Sequence, residues 1–159
     1  GMRDAALAYI RAGMTITPLC WPVDGGACGA GHASCLAAPR NVGKAPLTHN
    51  GHIITFGPGQ EDQASNFWQQ HPNANIGIRL EESGLIAIDV DDIELLTPEQ
   101  RALVEQYEHY VISGRGRHIY FKRGDLPPTH IRLPGWEIRG KGYIVAPPSR
   151  HASGSEYRW

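Results

Sequence analysis

The stretch Gly84-Leu85-Ile86-Ala87-Ile88-Asp89-Val90-Asp91 constrains the fold more than any other part of this 159-residue chain. An apolar, β-prone run leading into Asp-x-Asp predicts a buried strand with carboxylates at its end. Strand side chains alternate faces, so Asp89 and Asp91 share one. Two ionised carboxylates side by side repel each other, and a cation relieves the repulsion. Mg²⁺ or Mn²⁺ suits them because hard cations prefer oxygen ligands. Sites of this kind serve phosphoryl transfer. A plainer account, two acids solvated at a strand end, fits the pair taken alone.

Two further segments narrow the choice. Tyr110-Val111-Ile112 predicts a strand and runs into Ser113-Gly114-Arg115-Gly116-Arg117-His118, followed by Ile119-Tyr120-Phe121. Glycines let a backbone approach an anion closely, and arginines offer forked donors to phosphate oxygens. The segment fits a triphosphate cradle, although a glycine turn with solvated arginines would use the same residues. His118 and Tyr120 are predicted on one face, Ile119 and Phe121 on the other. In Gly135-Trp136-Glu137-Ile138-Arg139, Glu137 and Arg139 share a face opposite Trp136 and Ile138. Gly140-Lys141-Gly142 reads as a turn, with Tyr143 to Ala146 as the strand returning from it.

With these segments in view, the chain resembles the bifunctional DNA primase/polymerase N-terminal domain of the archaeo-eukaryotic primase superfamily. The match runs in order through Gly43-Lys44-Ala45-Pro46-Leu47, Pro72-Asn73-Ala74-Asn75-Ile76-Gly77-Ile78, Ser83 to Asp91, Ser113 to Phe121 and Trp136 to Ser149. The tail Ser153 to Trp159 is similar to the last strand of that family. Each motif is weak alone, and their order and spacing carry the resemblance.

The resemblance implies a catalytic core for template-directed nucleotidyl transfer in plasmid, phage or mobile-element replication. Asp89 and Asp91 fall on the family's acid-x-acid motif and Glu137 on its third acid, so these three would hold two Mg²⁺ or Mn²⁺ ions. The family's serine-x-histidine motif falls on His118. Gly116 stands where the serine would be, and the nearest serine is Ser113. Nucleotide binding is then expected from Ser113, Arg115, Arg117, His118, Arg139 and Lys141, with Lys44 approaching the template or nucleotide, or only shaping a loop. Tyr120 and Tyr143 are candidates for sugar discrimination. The implied partners are a single-stranded DNA template, a primer strand, dNTP or NTP, and a fused or associated helicase. Residues 1–159 are expected to form one catalytic domain taken from a longer replication protein, with Gly1 left by tag cleavage. Two rival functions use the same residues: a metal-dependent nuclease, or a non-catalytic zinc-stabilised module that binds single-stranded nucleic acid.

A second constellation lies near the N-terminus. All three cysteines fall within sixteen positions, and Cys20, Cys28, His32 and Cys35 form a set suited to structural Zn²⁺. The intervening loop is rich in glycine and alanine and cannot bury a core of its own, so a metal would order it. His49 and His52 are possible substitutes for His32. An odd cysteine count and the lack of a secretory signal speak against a disulfide framework.

Net charge is −1, which alone does not suggest a polyanion-binding protein. The charge is unevenly spread: residues 1–112 carry six Lys and Arg against thirteen Asp and Glu, and residues 113–159 carry nine against three. The basic surplus coincides with the proposed phosphate loop. No stretch is apolar for a membrane-spanning length, and a cytoplasmic location in a prokaryotic host is expected. Periodicity predicts helices over residues 3–12 and 61–70, and another starting after the Thr97 cap and running to about Tyr107. Strands are expected over 15–19, 76–78, 85–91, 110–122, 136–146 and 156–159, with residues 36–58 irregular. The sum is an α+β fold with a mostly antiparallel central sheet flanked by helices, plus the zinc loop.

Overall fold

Successive residues of the Asp89 strand point to opposite faces, and each face carries its own core. The computed structural model describes residues 1–159. Its helices are α1 (Met2–Arg11), α2 (Ala33–Ala37), α3 (Glu61–Gln70) and α4 (Pro98–Glu105). Its strands are β1 (Ile16–Leu19), β2 (Thr48–His49), β3 (His52–Ile53), β4 (Asn75–Arg79), β5 (Leu85–Val90), β6 (Val111–Ser113), β7 (Gly116–Lys122), β8 (His130–Leu133), β9 (Trp136–Arg139) and β10 (Tyr143–Ala146). The α+β class and the antiparallel pairing are as expected. The strands divide between two main sheets, however: a five-stranded sheet ordered β6-β7-β5-β9-β8 and a three-stranded sheet ordered β1-β4-β10.

β5 is the middle strand of the larger sheet. Ile88 and Val90 face a core with Ile119, Trp136, Leu96 and Val104, covered by α4. Thr97 starts α4 with a full capping box: its side chain accepts from the Gln100 N–H while the Gln100 side chain accepts from the Thr97 N–H. Leu85 and Ala87 face the other way, into the main core built from α1, α3 and the smaller sheet: Ile10, Ile16, Trp68, Ile76, Ile78 and Ile144. Trp68 is buried there because its indole N–H donates to the Ala74 carbonyl at 2.9 Å.

Three expectations are corrected. Trp136–Arg139 and Tyr143–Ala146 do not form a hairpin; β9 stays beside β5, while β10 crosses to pair with β4. The reason is that the outer edge of β9 is already taken by β8, a strand absent from the sequence reading. Residues 156–159 make only isolated bridges, Glu156 to Arg150 and Arg158 to Ile112, rather than a strand. Within the irregular 36–58 region, β2 and β3 form a small hairpin.

Candidate functional site

Antiparallel register brings the distant motifs into one row. Asp89 pairs with His118 on one side and with Glu137 on the other, and Glu137 pairs in turn with Arg132. Directly opposed residues of such a ladder hold their Cβ atoms about 4.5–5.5 Å apart, so these side chains meet. One row along, Ala87 pairs with Arg139 and Arg139 with His130. Asp91 lies just past the end of β5. Its backbone N–H donates to the Gly135 carbonyl at 2.9 Å, which fixes the chain as it leaves the sheet.

The acids differ in their surroundings. Asp89 is nearly buried; its Oδ1 is 3.4 Å from His118 Nε2 and its Oδ2 3.6 Å from an Arg139 nitrogen. Burial alone would raise its pKa, but His118, Arg139 and Lys44 together hold it below the ordinary carboxylate range. Asp91 goes the opposite way: burial and the charges of Asp89 and Glu137 push its pKa up. Glu137 contacts His130 Nε2 at 3.0 Å, Arg132 Nε at 3.5 Å and Arg139 Nε at 3.9 Å. Its carboxylate is thus held by two side chains of β8 and one of its own strand, and the three acids do not bring their oxygens together as closely as the cysteine loop brings its ligand atoms.

The remaining sequence candidates are distributed unevenly. Ser113 pairs with Gly116 at the acid end of the sheet, on the face of His118. A Cβ at Gly116 would run into the Val90 carbonyl, and it would lie 3.2 Å from the Ser113 hydroxyl. A serine cannot occupy position 116 on this backbone, and Ser113 presents its hydroxyl beside that position from the neighbouring strand. Arg115 is exposed in the turn between β6 and β7, at the same end. Arg117 is on the opposite face, with its guanidinium stacked 4.5 Å above the Tyr110 ring. Lys141 is exposed in the turn after β9, further down that strand from the acids. The Tyr120 hydroxyl is buried without a partner, and the Tyr143 hydroxyl donates to the Lys44 carbonyl at 2.6 Å.

Lys44 is exposed, and the backbone just before it is fixed by a network centred on Asn75. The Asn75 side chain, fully buried, donates to the Gly43 carbonyl at 3.0 Å and the Arg150 carbonyl at 2.8 Å, and accepts from the Arg150 N–H at 3.0 Å. Gly43 is held at φ +85°, close against Arg150. The Lys44 charge helps to lower the pKa of Asp89 and offsets part of the rise at Asp91; at His151 it adds to the lowering caused first by burial.

The cysteine loop forms a second site. One ligand atom each from Cys20, Cys28, His32 and Cys35 lies within 4.8 Å of all the others. Tetrahedral zinc with bonds of about 2.3 Å would separate its sulfurs by about 3.8 Å, and Cys20 and Cys35 are 3.9 Å apart. The Gly43 N–H donates to the Cys20 sulfur at 3.2 Å, and His32 Nδ1 is buried with no hydrogen-bond partner. A buried imidazole nitrogen with no hydrogen-bond partner, on a ring grouped with three thiols, is a donor that a cation would satisfy. The donor set fits zinc. His49 and His52, in the β2–β3 hairpin, are outside this cluster.

The family model for the bifunctional DNA primase/polymerase N-terminal domain matches residues 6–159. The chain belongs to that family. No curated protein matches it in a sequence search. The primase/polymerase assignment accounts for the order of the motifs, but His130 and Arg132 were not among the residues expected at the site. A signal for them exists: His130-Ile131-Arg132-Leu133 alternates polar and apolar residues before the Pro134-Gly135 turn, the pattern of a half-exposed strand. No helix of the structure is long and apolar enough to cross a membrane.

Proposed function

We propose that this chain is a nucleotidyltransferase core that extends a primer along a single-stranded DNA template from dNTP or NTP. The observation that carries the reading is the row His118–Asp89–Glu137 with Asp91 at its end. Asp91, whose ionised form is disfavoured by partial desolvation and by two neighbouring acids and which has no ion pair, would gain from a cation. Asp89, Asp91 and Glu137 would hold Mg²⁺ or Mn²⁺, which supplies Lewis-acid stabilisation of the attacking and departing oxygens.

The chain's own groups then divide the remaining work. His118 sets Nε2 3.4 Å from Asp89 Oδ1 and would hold that acid in place within the row. Ser113 and Arg115, at the acid end of the sheet, and Lys44, across from it, would bind triphosphate oxygens. Arg139 bridges Asp89 and Glu137 and keeps the acid face from repelling a polyanion. Cys20, Cys28, His32 and Cys35 would hold structural Zn²⁺.

Primer extension on a template overhang tests the reading, with each nucleotide type and each divalent cation supplied separately. The wild type should lengthen the labelled primer, and Asp89→Ala should slow it by at least about a thousandfold, the scale of losing a group that acts in the transition state. A labelled strand that shortens would point to a nuclease instead. Extension that persists in Asp89→Ala would remove the site assignment.

A further inference from the structure

β8 reaches the acid cluster from the outer edge of the sheet. Its two basic residues both meet Glu137, but unequally. His130 Nε2 is 3.0 Å from Glu137 Oε2, and the histidine side chain is 32% exposed. Arg132 Nε is 3.5 Å from Oε1, and that side chain is 80% exposed. Facing a carboxylate oxygen, Nε2 carries the ring proton and donates it; two lone pairs would repel. The histidine contact is therefore a formed, partly shielded hydrogen bond. A solvated arginine at the longer distance contributes little and is readily displaced.

We propose that His130 is a positioning residue for the third acid. It fixes Glu137 through Oε2 and leaves Oε1, covered only by solvated Arg132, to receive a divalent cation. The proposal rests on the nucleotidyltransferase reading of Asp89, Asp91 and Glu137. It makes a claim opposite to that of simple charge balance. If His130 served only to neutralise Glu137, removing it would make the cluster more attractive to a cation. If it orients the ligand, removing it weakens cation binding even though a basic group has been lost.

Titration calorimetry with Mn²⁺ alone, on the full chain, separates the two. Three variants are needed: His130→Ala, His130→Gln and Arg132→Ala. The proposal expects His130→Ala to bind Mn²⁺ about 10- to 100-fold more weakly, the usual cost of losing a partner that orients a metal ligand. His130→Gln, whose amide N–H can donate to the same oxygen, should recover most of the loss. Arg132→Ala should bind as tightly as the wild type or more so. In primer extension the His130→Ala defect should shrink as Mn²⁺ is raised, which a general loss of structure would not produce.

Unchanged or tighter binding in His130→Ala overturns the proposal, as does a folded His130→Gln that fails to rescue. A wild type that binds no Mn²⁺ overturns it together with the functional reading. Mn²⁺ binding that depends on His130 in a protein unable to extend primers would leave the positioning role standing and remove the polymerase reading alone.

Discussion

Asp91 has the least compensation of the three acids. Asp89 has His118 and Arg139 within 3.6 Å, and Glu137 has three basic neighbours within 3.9 Å. Asp91 has no ion pair, and although its side chain is exposed, partial loss of solvent around its carboxyl and the other two acids raise its pKa. A carboxyl whose folded pKa exceeds its unfolded value favours the native state most at low pH, and that contribution is lost as pH rises through the folded value. Near neutrality the ionised Asp91 therefore strains the metal-free fold. Replacing it by Asn should stabilise that form by a few tenths of a kcal/mol at this exposed position, a melting shift of about 1 °C. Mn²⁺ should raise the melting temperature of the wild type more than that of Asp91→Asn, because a cation bound to the native state stabilises it by mass action. Melting curves with and without the metal read both effects. An Asn variant that is less stable without metal would contradict the electrostatic account. Gly116 shows why residue-level reading from sequence was incomplete. The sequence gives its identity, but the Val90 carbonyl that forbids a side chain there comes from a strand twenty-six positions earlier.

Elements were legible where the signal was local. α3 spans Glu61–Gln70 as its periodicity indicates, and the Thr97 cap starts α4 through a bond to a residue three positions on. Pairing was not legible, since nothing within Tyr143–Ala146 says that its partner is β4 rather than β9. The cysteine loop falls between these cases, because spacing suggested its ligands while its attachment needed the fold. Cys20 follows directly from β1, donates its N–H to the Ala45 carbonyl at 2.8 Å and accepts at sulfur from the Gly43 N–H. The loop is thereby tied to the turn that presents Lys44. Elemental analysis of the purified chain should find about one zinc per molecule, as a single four-ligand site requires. Chelation should lower the melting temperature and raise the KM for nucleotide more than it lowers kcat, as the Lys44 turn loses its anchor while the acids on β5 stay in place. Zinc-free protein with unaltered melting and KM would show that the loop is held without a metal.

At the scale of the whole molecule, the charge asymmetry of the sequence becomes a question of faces. The basic surplus of residues 113–159 does not all serve the acid end of the larger sheet. Arg115 is there, in the β6–β7 turn, whereas Arg117 is two residues along and committed to Tyr110 on the far face. From sequence alone both arginines have equal standing, and strand alternation would even put them on one face; the β6–β7 turn separates them, taking Arg115 off the strand while Arg117 stays on it. Their contributions to DNA binding should differ accordingly. Each phosphate neutralised on a single strand adds about −0.7 to the slope of log K against log salt. Arg115→Ala should therefore make that slope shallower by about 0.7 and weaken binding most at low salt. Arg117→Ala should leave the slope unchanged, and any loss it causes should appear in the melting temperature, through the lost cation–π stack, worth about 0.5–1 kcal/mol at an exposed site. Anisotropy of a labelled single-stranded oligonucleotide across a salt series measures both slopes directly. Equal slopes in the two variants would mean that the strand does not run past the acid end of the sheet, and the face assigned to the template would have to be moved.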